Sequence, residues 1–332
     1  KTLSQQVLLG DEAVALGGAY TAIAADPSGM WYNPAGIVDV RNTSLSLSAN
    51  LYGIQDASVG SEEAIFPEDP ISKLTVVPSS AGFVQALGRT DPHGHRPYAV
   101  GVSIVVPSFR KFSTSEEGES TDADLGTYRH GYHRSFEDQT LWVGAGGAFR
   151  LHGRFSVGAG IVLMHRSVHD VASSFVASDF QDGEYRPYRS ALMDLDFSND
   201  NLLLVAGLKL RLAKGLYFGA MVRSPSLMVY SSGSMRFARS RSDGQGASGF
   251  LPTPAEVAVK SESRTNGEGR AGIAYLIENR LTLAADVSFH LPVSYTLVAV
   301  DNEQARHALL IAPSVKRNFV ITANLGAEVK FL

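Results

Sequence analysis

The chain contains no cysteine, little charge and no long apolar run, and each shortage excludes a class of protein. Without cysteine there can be no disulfide framework, thiolate zinc site, iron–sulfur cluster or cysteine nucleophile. Charged residues make up only 19% of the 332 residues, against about 25% in an average globular protein. The most apolar stretch, residues 99–107, is about half as long as the ~20 residues that a membrane-spanning helix needs. The sequence therefore predicts neither a disulfide scaffold nor a helical membrane protein.

The charges are also nearly balanced. Thirty-three acidic and 29 basic residues give a net charge of −4, so no concentrated basic face is expected and nucleic acid is excluded as a partner. The chain begins with Lys1 rather than methionine, and we interpret it as the mature form of an exported protein after removal of a signal peptide.

What the sequence does contain is a repeated alternation of apolar with small or polar residues. In 281–291, for example, every second residue is apolar, and the residues between them include Asp286, Ser288 and His290. This period of two is typical of strands that have one apolar face. The clearest segments are 43–52, 140–151, 155–163, 202–212, 281–291 and 319–331.

Two all-β architectures share this alternation, a soluble sandwich or barrel and an outer-membrane barrel. The non-apolar face is rich in Gly, Ala and Ser rather than Lys and Glu, whereas a soluble surface carries about 25–35% charge. We therefore predict an all-β fold, a transmembrane antiparallel β-barrel over residues 43–332. Segment counting indicates about 14 strands, with 12 also possible.

Turn signals divide the alternating segments. His152–Gly153, Lys214–Gly215, Asn266–Gly267 and Glu278–Asn279 are predicted to be hairpin turns. By contrast, residues 110–138, with an acidic run at 116–124, and residues 170–200 are predicted to be long polar loops. Short turns and long loops are typical of the two rims of an outer-membrane barrel.

Residues 1–42 differ from the rest of the chain. They combine small residues around Gly17 and Gly18, a turn at 26–29, and an Asn33-Pro34-Ala35 step that disfavours helix at Asn33. We predict that this segment is a compact hatch packed inside the barrel.

The segment also carries a family resemblance, strongest over residues 10–38. Its Gly17-Gly18-Ala19-Tyr20, Ala25-Asp26-Pro27 and Tyr32-Asn33-Pro34-Ala35 steps resemble the mature N-termini of FadL/TodX-type outer-membrane transporters of hydrophobic molecules and of PorV-type barrels. Residues 77–84 and 251–259 resemble the same family more weakly. The resemblance implies a hatch that includes Gly17, Gly18, Asn33, Pro34 and Ala35. It also implies apolar ligand pockets and lateral release through an opening made by a kinked strand.

Strand parity gives the candidate binding residues. The side chains expected to face the lumen are Trp142, Met164, Arg166, Tyr217, Met221, Asp286 and His290. In one interpretation Trp142, Met164 and Met221 line a hydrophobic tunnel and Arg166 meets a carboxylate head group; in the other, these side chains simply fill the barrel.

Other constellations point less clearly to chemistry. The histidine pairs His93/His95, His130/His133 and His165/His169 lack the three convergent ligands that a metal needs. Ser167 beside His165 and Ser288 beside His290 resemble fragments of a hydrolase triad, but no G-x-S-x-G elbow is present. We expect no enzyme activity, no metal and no cofactor.

The predicted function is passive transport of hydrophobic small molecules, such as long-chain fatty acids or hydrocarbons, across the outer membrane of a Gram-negative bacterium. The expected partners are this ligand and the surrounding membrane lipids and lipopolysaccharide. The alternative is a PorV-like barrel that serves a protein secretion or surface-assembly complex. A polar porin and a soluble barrel are less favoured.

Overall fold

The structure, a computed structural model, describes residues 8–50, 54–58, 70–74, 77–91, 94–122, 126–178, 188–242, 255–277, 280–309 and 314–329. Its helices are short. They are α1 (Asp11–Ala15), α2 (Gly29–Tyr32), a 3-10 helix (Pro34–Asp39) and α3 (Glu303–Ala308). Within the described ranges, no helix is both long and apolar enough to cross a membrane.

Eighteen strands make up most of the described chain. In chain order they are β1 (Thr43–Asn50), β2 (Ile54–Ser58), β3 (Pro70–Leu74), β4 (Val77–Leu87), β5 (Tyr98–Asp122), β6 (Gly126–His152), β7 (Phe155–Ser178), β8 (Tyr188–Ala213), β9 (Leu216–Arg223), β10 (Leu227–Ser242), β11 (Ala255–Ala258), β12 (Lys260–Ser261), β13 (Glu268–Ile277), β14 (Leu281–His290), β15 (Val293–Thr296), β16 (Val298–Ala299), β17 (Ser314–Arg317) and β18 (Val320–Val329).

Among the described residues, twelve of these strands form one antiparallel sheet. Its main order is β1-β4-β5-β6-β7-β8-β9-β13-β14-β18. The N-terminal half of β8 pairs with β10, which in turn pairs with β11. The remaining strands form the two-stranded sheets β2–β3, β12–β16 and β15–β17.

The two faces of the sheet differ as the alternation predicts. The outer face exposes large apolar side chains in nearly every strand of the main order, whereas the inner face is buried. Exposed members include Leu45, Leu47, Val100, Val102, Ile104, Val143, Ile161, Leu163, Leu204, Leu208, Ile273, Leu283, Val287, Ile321 and Leu325. A contiguous apolar surface of this extent is typical of contact with lipid rather than water.

The two predicted long loops are wrong. Residues 110–122 and 126–138 continue β5 and β6 as a paired ladder, and 170–178 and 188–200 continue β7 and β8. The apolar signal on the outer face stops along β7 after Leu163, since His165, Ser167 and His169 follow on that face. Alternation between apolar and polar residues therefore fades although the strand continues. The acidic residues from Glu116 to Asp122 lie on this extension of β5, and Asp124 lies outside the described residues.

Short connections gather at one end of the sheet. The turn predicted at Lys214–Gly215 joins paired strands, and the one predicted at His152–Gly153 lies one residue later, at 153–154. Gly215 adopts φ 77°, which favours glycine. Asn266–Gly267 is not a hairpin turn, because it joins β12 to β13, which pair with β16 and β9. Glu278–Asn279 lies outside the described residues.

Candidate functional site

The N-terminal segment, residues 8–42, packs against the inner face of the sheet. Asn33 fixes it there: its Nδ2 donates to the carbonyl oxygens of Thr21 and of Leu208 on β8, both at 2.9 Å, and its Oδ1 accepts from Ala35 N at 3.1 Å. Asn33 is fully buried. Removing its amide would leave two carbonyls without this donor, at about 1–3 kcal/mol each.

Glycines on the inner face let the segment approach closely. A Cβ at Gly207 would lie 2.1 Å from Asn33 Oδ1, and one at Gly158 would lie 2.5 Å from Ala35 N. Any larger residue would displace the Asn33-Pro34-Ala35 step. The motif residues Gly17 and Gly18 serve a different purpose, because their φ values of 59° and 87° turn the chain after α1.

Charged contacts add further anchors. Asp39 bonds Lys209 Nζ at 2.5 Å and Arg150 Nη2 at 2.6 Å. Asp286 Oδ2 accepts bonds from Tyr20 N, Thr21 N and Thr21 Oγ1. The segment is therefore held from β6, β8 and β14 at once.

A third anchor combines charge with aromatic rings. Arg223 Nη1 pairs with Glu268, and its Nη2 donates to Trp31 O at 2.8 Å. The guanidinium lies over the rings of Trp31 and Trp142, 4.4 and 5.3 Å from their centroids. Such contacts between a cation and an aromatic face strengthen as water is excluded.

Next to these anchors, the N-terminal segment and the wall share an apolar core, which we call the lower cluster. Trp142, Met164 and Met221 all belong to it, with exposures of 5%, 2% and 1%, and Trp142 packs on Trp31 at 4.8 Å between ring centroids. The lower cluster comprises Leu9, Ala13, Leu16, Tyr20, Ala24, Tyr32, Val105, Trp142, Val162, Met164, Leu203, Val205 and Met221. Strand parity thus places the three apolar candidates correctly on the inner face, and the structure brings them into one cluster.

A second apolar core, the upper cluster, lies further along the inner face of the long strands. Residues 293–309 contribute to it together with the wall. Its members are Val168, Ala172, Met193, Leu195, Phe197, Met235, Phe237, Val259, Tyr295, Leu297, Val298, Val300 and Ala305. Five of the six methionines of the chain are buried; their flexible, polarisable side chains adapt readily to different apolar neighbours.

A polar belt separates the two clusters. It consists of Asp138, Arg166, Asn199, Ser231, Ser261 and Ser263. Arg166 Nε and Nη2 form a two-pronged ion pair with Asp138 at 2.9 and 2.8 Å, and its Nη1 donates to Ser263 Oγ at 3.3 Å. The guanidinium predicted to meet a ligand carboxylate is thus engaged by a carboxylate of the wall.

The other sequence candidates lie apart from these clusters. His165 and His169 point outward and pair with Asp200 and Asp196, so they share neither a ligand nor the lumen. Among the described residues, no group of three or more acidic or histidine side chains could hold a metal. His93 lies outside the described residues. Lys209 lies over the ring of the inward Tyr217, 5.3 Å from its centroid.

The main groove of the molecule lies elsewhere than the buried clusters. A groove of about 570 Å³ lies on the outer face, lined by Ile273, Tyr275, Leu283 and Leu325 among others. A smaller void of about 10 Å³ lies between the N-terminal segment and the wall, near Trp31 and Val105; this is about the space of one water molecule. The interior clusters bring the candidate residues together, whereas the groove lies on the opposite face of the wall.

Sequence reasoning missed Arg223, Glu268 and the contacts of Asn33 with the inner face. Arg223 and Glu268 are charged residues at inward parity, which was a usable signal. The partners of Asn33 were not predictable, because Leu208 lies 175 residues away in the chain.

Comparison with known proteins shows which solved structures share this fold. No family sequence model matches the chain, and no curated protein matches it by sequence. Among solved structures, the Pseudomonas putida toluene transporter TodX matches with a TM-score of 0.55 at 12% identity, over 96% of this chain and 79% of that chain. The CymD monoaromatic hydrocarbon channel gives the same values. A TodX deltaS2S3 mutant matches with a TM-score of 0.62 at 15% identity, over 98% and 80%. The chain therefore has the all-β fold of these barrels, and the predicted resemblance is confirmed at the level of the fold.

Proposed function

We propose that this protein is a passive channel for hydrophobic small molecules in the outer membrane of a Gram-negative bacterium. The observation that carries the proposal is the lower cluster. Its Trp142 and two methionines, with Trp31 packed against them, lie inside the fold of barrels described as a toluene transporter and a monoaromatic hydrocarbon channel. An apolar interior can take up a hydrophobic ligand from water without making or breaking a covalent bond. The proposal therefore includes no catalytic step and no energy source.

The proposed route runs from the upper cluster, past the polar belt, to the lower cluster. Residues 1–42 act as the hatch and 43–332 as the barrel. Because the N-terminal segment packs closely against the inner face, as at Gly207 and Gly158, we expect a ligand to displace part of the hatch or of the wall. Trp142, Met164 and Met221 are the proposed ligand contacts.

Release into the membrane has a candidate position in the wall. β9 and β10 both pair with β8 and are separated by a break at 224–226 that contains Pro225. After the break, Leu227, Met228, Val229 and Tyr230 are all exposed, by 49–65%, and a register shift lies between Met228 and Tyr230. This irregular, apolar stretch supports lateral release of ligand at β10.

Uncharged compounds fit the interior better than fatty acids do. A fatty acid would bring a carboxylate to a belt whose arginine, Arg166, is already paired with Asp138. Outside the wall, we expect the apolar band to contact membrane lipid and the polar extensions of β5 to β8 to contact lipopolysaccharide.

Mass spectrometry of the protein purified in mild detergent tests the proposal. We expect apolar compounds to co-purify in stoichiometric amounts and to be lost from a variant that fills the lower cluster, Val162→Trp, while the outward variant Val143→Trp retains them. Recovery of a stoichiometric protein partner with no apolar compound would instead support a role in a secretion or surface-assembly complex.

A further inference from the structure

Two buried polar side chains lie in one row on the inner face without the partners that buried polar groups normally have. Trp142, Met164 and Asn201 are register neighbours on β6, β7 and β8. Asn201 is fully buried and Trp142 is 5% exposed. Neither the Asn201 amide nor Trp142 Nε1 has a hydrogen-bond partner in the described structure.

The row lies where the two apolar clusters meet the polar belt. The next row contains Arg166 and Asn199, both of which belong to the belt, whereas Trp142 and Met164 belong to the lower cluster. Asn199 Oδ1 also lacks a partner among the described residues. A ligand that passes from the upper to the lower cluster therefore meets unpaired donors and acceptors in two adjacent rows of the inner face.

Buried polar groups in proteins are almost always hydrogen-bonded. An unpaired amide next to an apolar cluster therefore points to a group that the protein itself does not supply. An asparagine amide can donate and accept, and an indole N–H can only donate. One ligand oxygen with a lone pair satisfies either group, and a hydroxyl can also donate back to Asn201 Oδ1.

We propose that the lumen selects uncharged apolar ligands that carry a hydroxyl or carbonyl oxygen, and that Asn201 and Trp142 recognise that oxygen. The inference rests on the proposed channel function and narrows its substrate class.

The buried charges explain why the ligand should be neutral. Arg166 is balanced by Asp138 at 2.8 Å. Arg223, whose guanidinium lies over the Trp142 ring, shares Glu268 with Arg270. With Asp286, this group holds three carboxylates for three arginines. A ligand carboxylate would add a negative charge beside these three arginines and three carboxylates, which already balance, and its burial would carry a desolvation cost.

The two tryptophans provide a direct readout, because Trp31 and Trp142 are the only ones in the chain and they pack together beside the row. The experiment measures their fluorescence in lipid nanodiscs during titration with methylcyclohexane, cyclohexanol and cyclohexanecarboxylate, which share one ring. Affinities are corrected for partition into protein-free nanodiscs. We expect cyclohexanol to bind about tenfold more tightly than either of the others, since one hydrogen bond to an otherwise unpaired buried group is worth about that factor.

Asn201→Leu should remove this preference while methylcyclohexane still binds. Leu204→Met, a change on the outward face of the same strand as Asn201, should keep the preference. If Asn201→Leu fails to insert, Trp31→Phe and Trp142→Phe form a second pair: each keeps one tryptophan as reporter, and only Trp142→Phe should weaken cyclohexanol binding.

Other outcomes overturn the proposal. Equal binding of cyclohexanol and methylcyclohexane by the wild-type protein would mean that the unpaired atoms hold structural water only, and would leave the channel function standing. Strongest binding of the carboxylate would contradict the neutral-ligand claim. No binding of any of the three compounds would count against the proposed function itself.

Discussion

Gly207 is the residue where the wall and the N-terminal segment come closest. In Gly207→Ala the new Cβ would lie 2.1 Å from Asn33 Oδ1, so Asn33 must give up its bonds to Thr21 and Leu208. Overpacking of this kind costs about 1–3 kcal/mol. We expect a lower free energy of unfolding in urea, measured in lipid vesicles.

The matched control is Gly153→Ala, because a Cβ at Gly153 would meet nothing within 4 Å. Its stability should equal that of the wild type. Equal loss in both variants would show that Asn33 is not the anchor we describe.

The pKa of Asp39 indicates how the contact between the N-terminal segment and the wall should respond to acid. Burial alone would raise its pKa, but Lys209 and Arg150 lower the pKa of Asp39 below its usual value of 3.8. A lowered pKa means that the anchor is fully present at neutral pH and is lost as the pH falls through the lowered value.

Hydrogen exchange of residues 34–39, corrected for intrinsic rates, should therefore stay slow from pH 8 to about pH 4 and increase only in stronger acid. Asp39→Asn should exchange faster at neutral pH and lose the acid response. An increase in the wild type between pH 7 and 5 would argue against this ion pair.

Side-chain direction was predictable at residue level, but side-chain partners were not. Period-2 parity places Trp142, Met164 and Met221 inside because the face of a residue in a strand depends only on local sequence. The pairing of Arg166 with Asp138, 28 residues away, depends on the register between β6 and β7, which parity leaves open.

At the level of elements, the extended strands are the main correction to the sequence analysis. β5 to β8 have 25, 27, 24 and 26 residues, although ~10 residues suffice to cross a membrane. Hydropathy predicts only the part in which one face contacts lipid. Beyond it, polar and apolar residues mix while the backbone ladder continues, as Phe112↔Phe136 shows.

The absence of cysteine makes this boundary measurable, since a single introduced thiol is the only one in the chain. Along the outer face of β7, Ile161→Cys and Leu163→Cys should be protected from a membrane-impermeant maleimide in native membranes. His169→Cys should react fully. Equal labelling at Leu163 and His169 would place the lipid boundary elsewhere.

For the whole molecule, alternation alone predicted an all-β fold, and the fold shared with TodX and CymD confirms it. The division into hatch and barrel remains a proposal, which the many contacts between residues 8–42 and the inner face support. What the sequence could not predict is how tightly this segment packs against the inner face. That depends on close approaches such as Asn33 to Gly207, which form only once distant strands are aligned.

The most direct test of the account links the proposed hatch covalently to the wall and measures uptake of ligand. A Cβ at Gly207 would lie 3.1 Å from Asn33 Cγ, so Asn33→Cys/Gly207→Cys brings two thiols to a separation suited to a disulfide. The measurement is entry of labelled toluene into cells that carry this double variant, with and without reductant. We predict uptake that is low when oxidised and restored on reduction, to a level above that of cells without the protein. Uptake that is equal in the oxidised and reduced states, or no higher than in cells without the protein, would contradict a hydrophobic channel closed by a movable hatch.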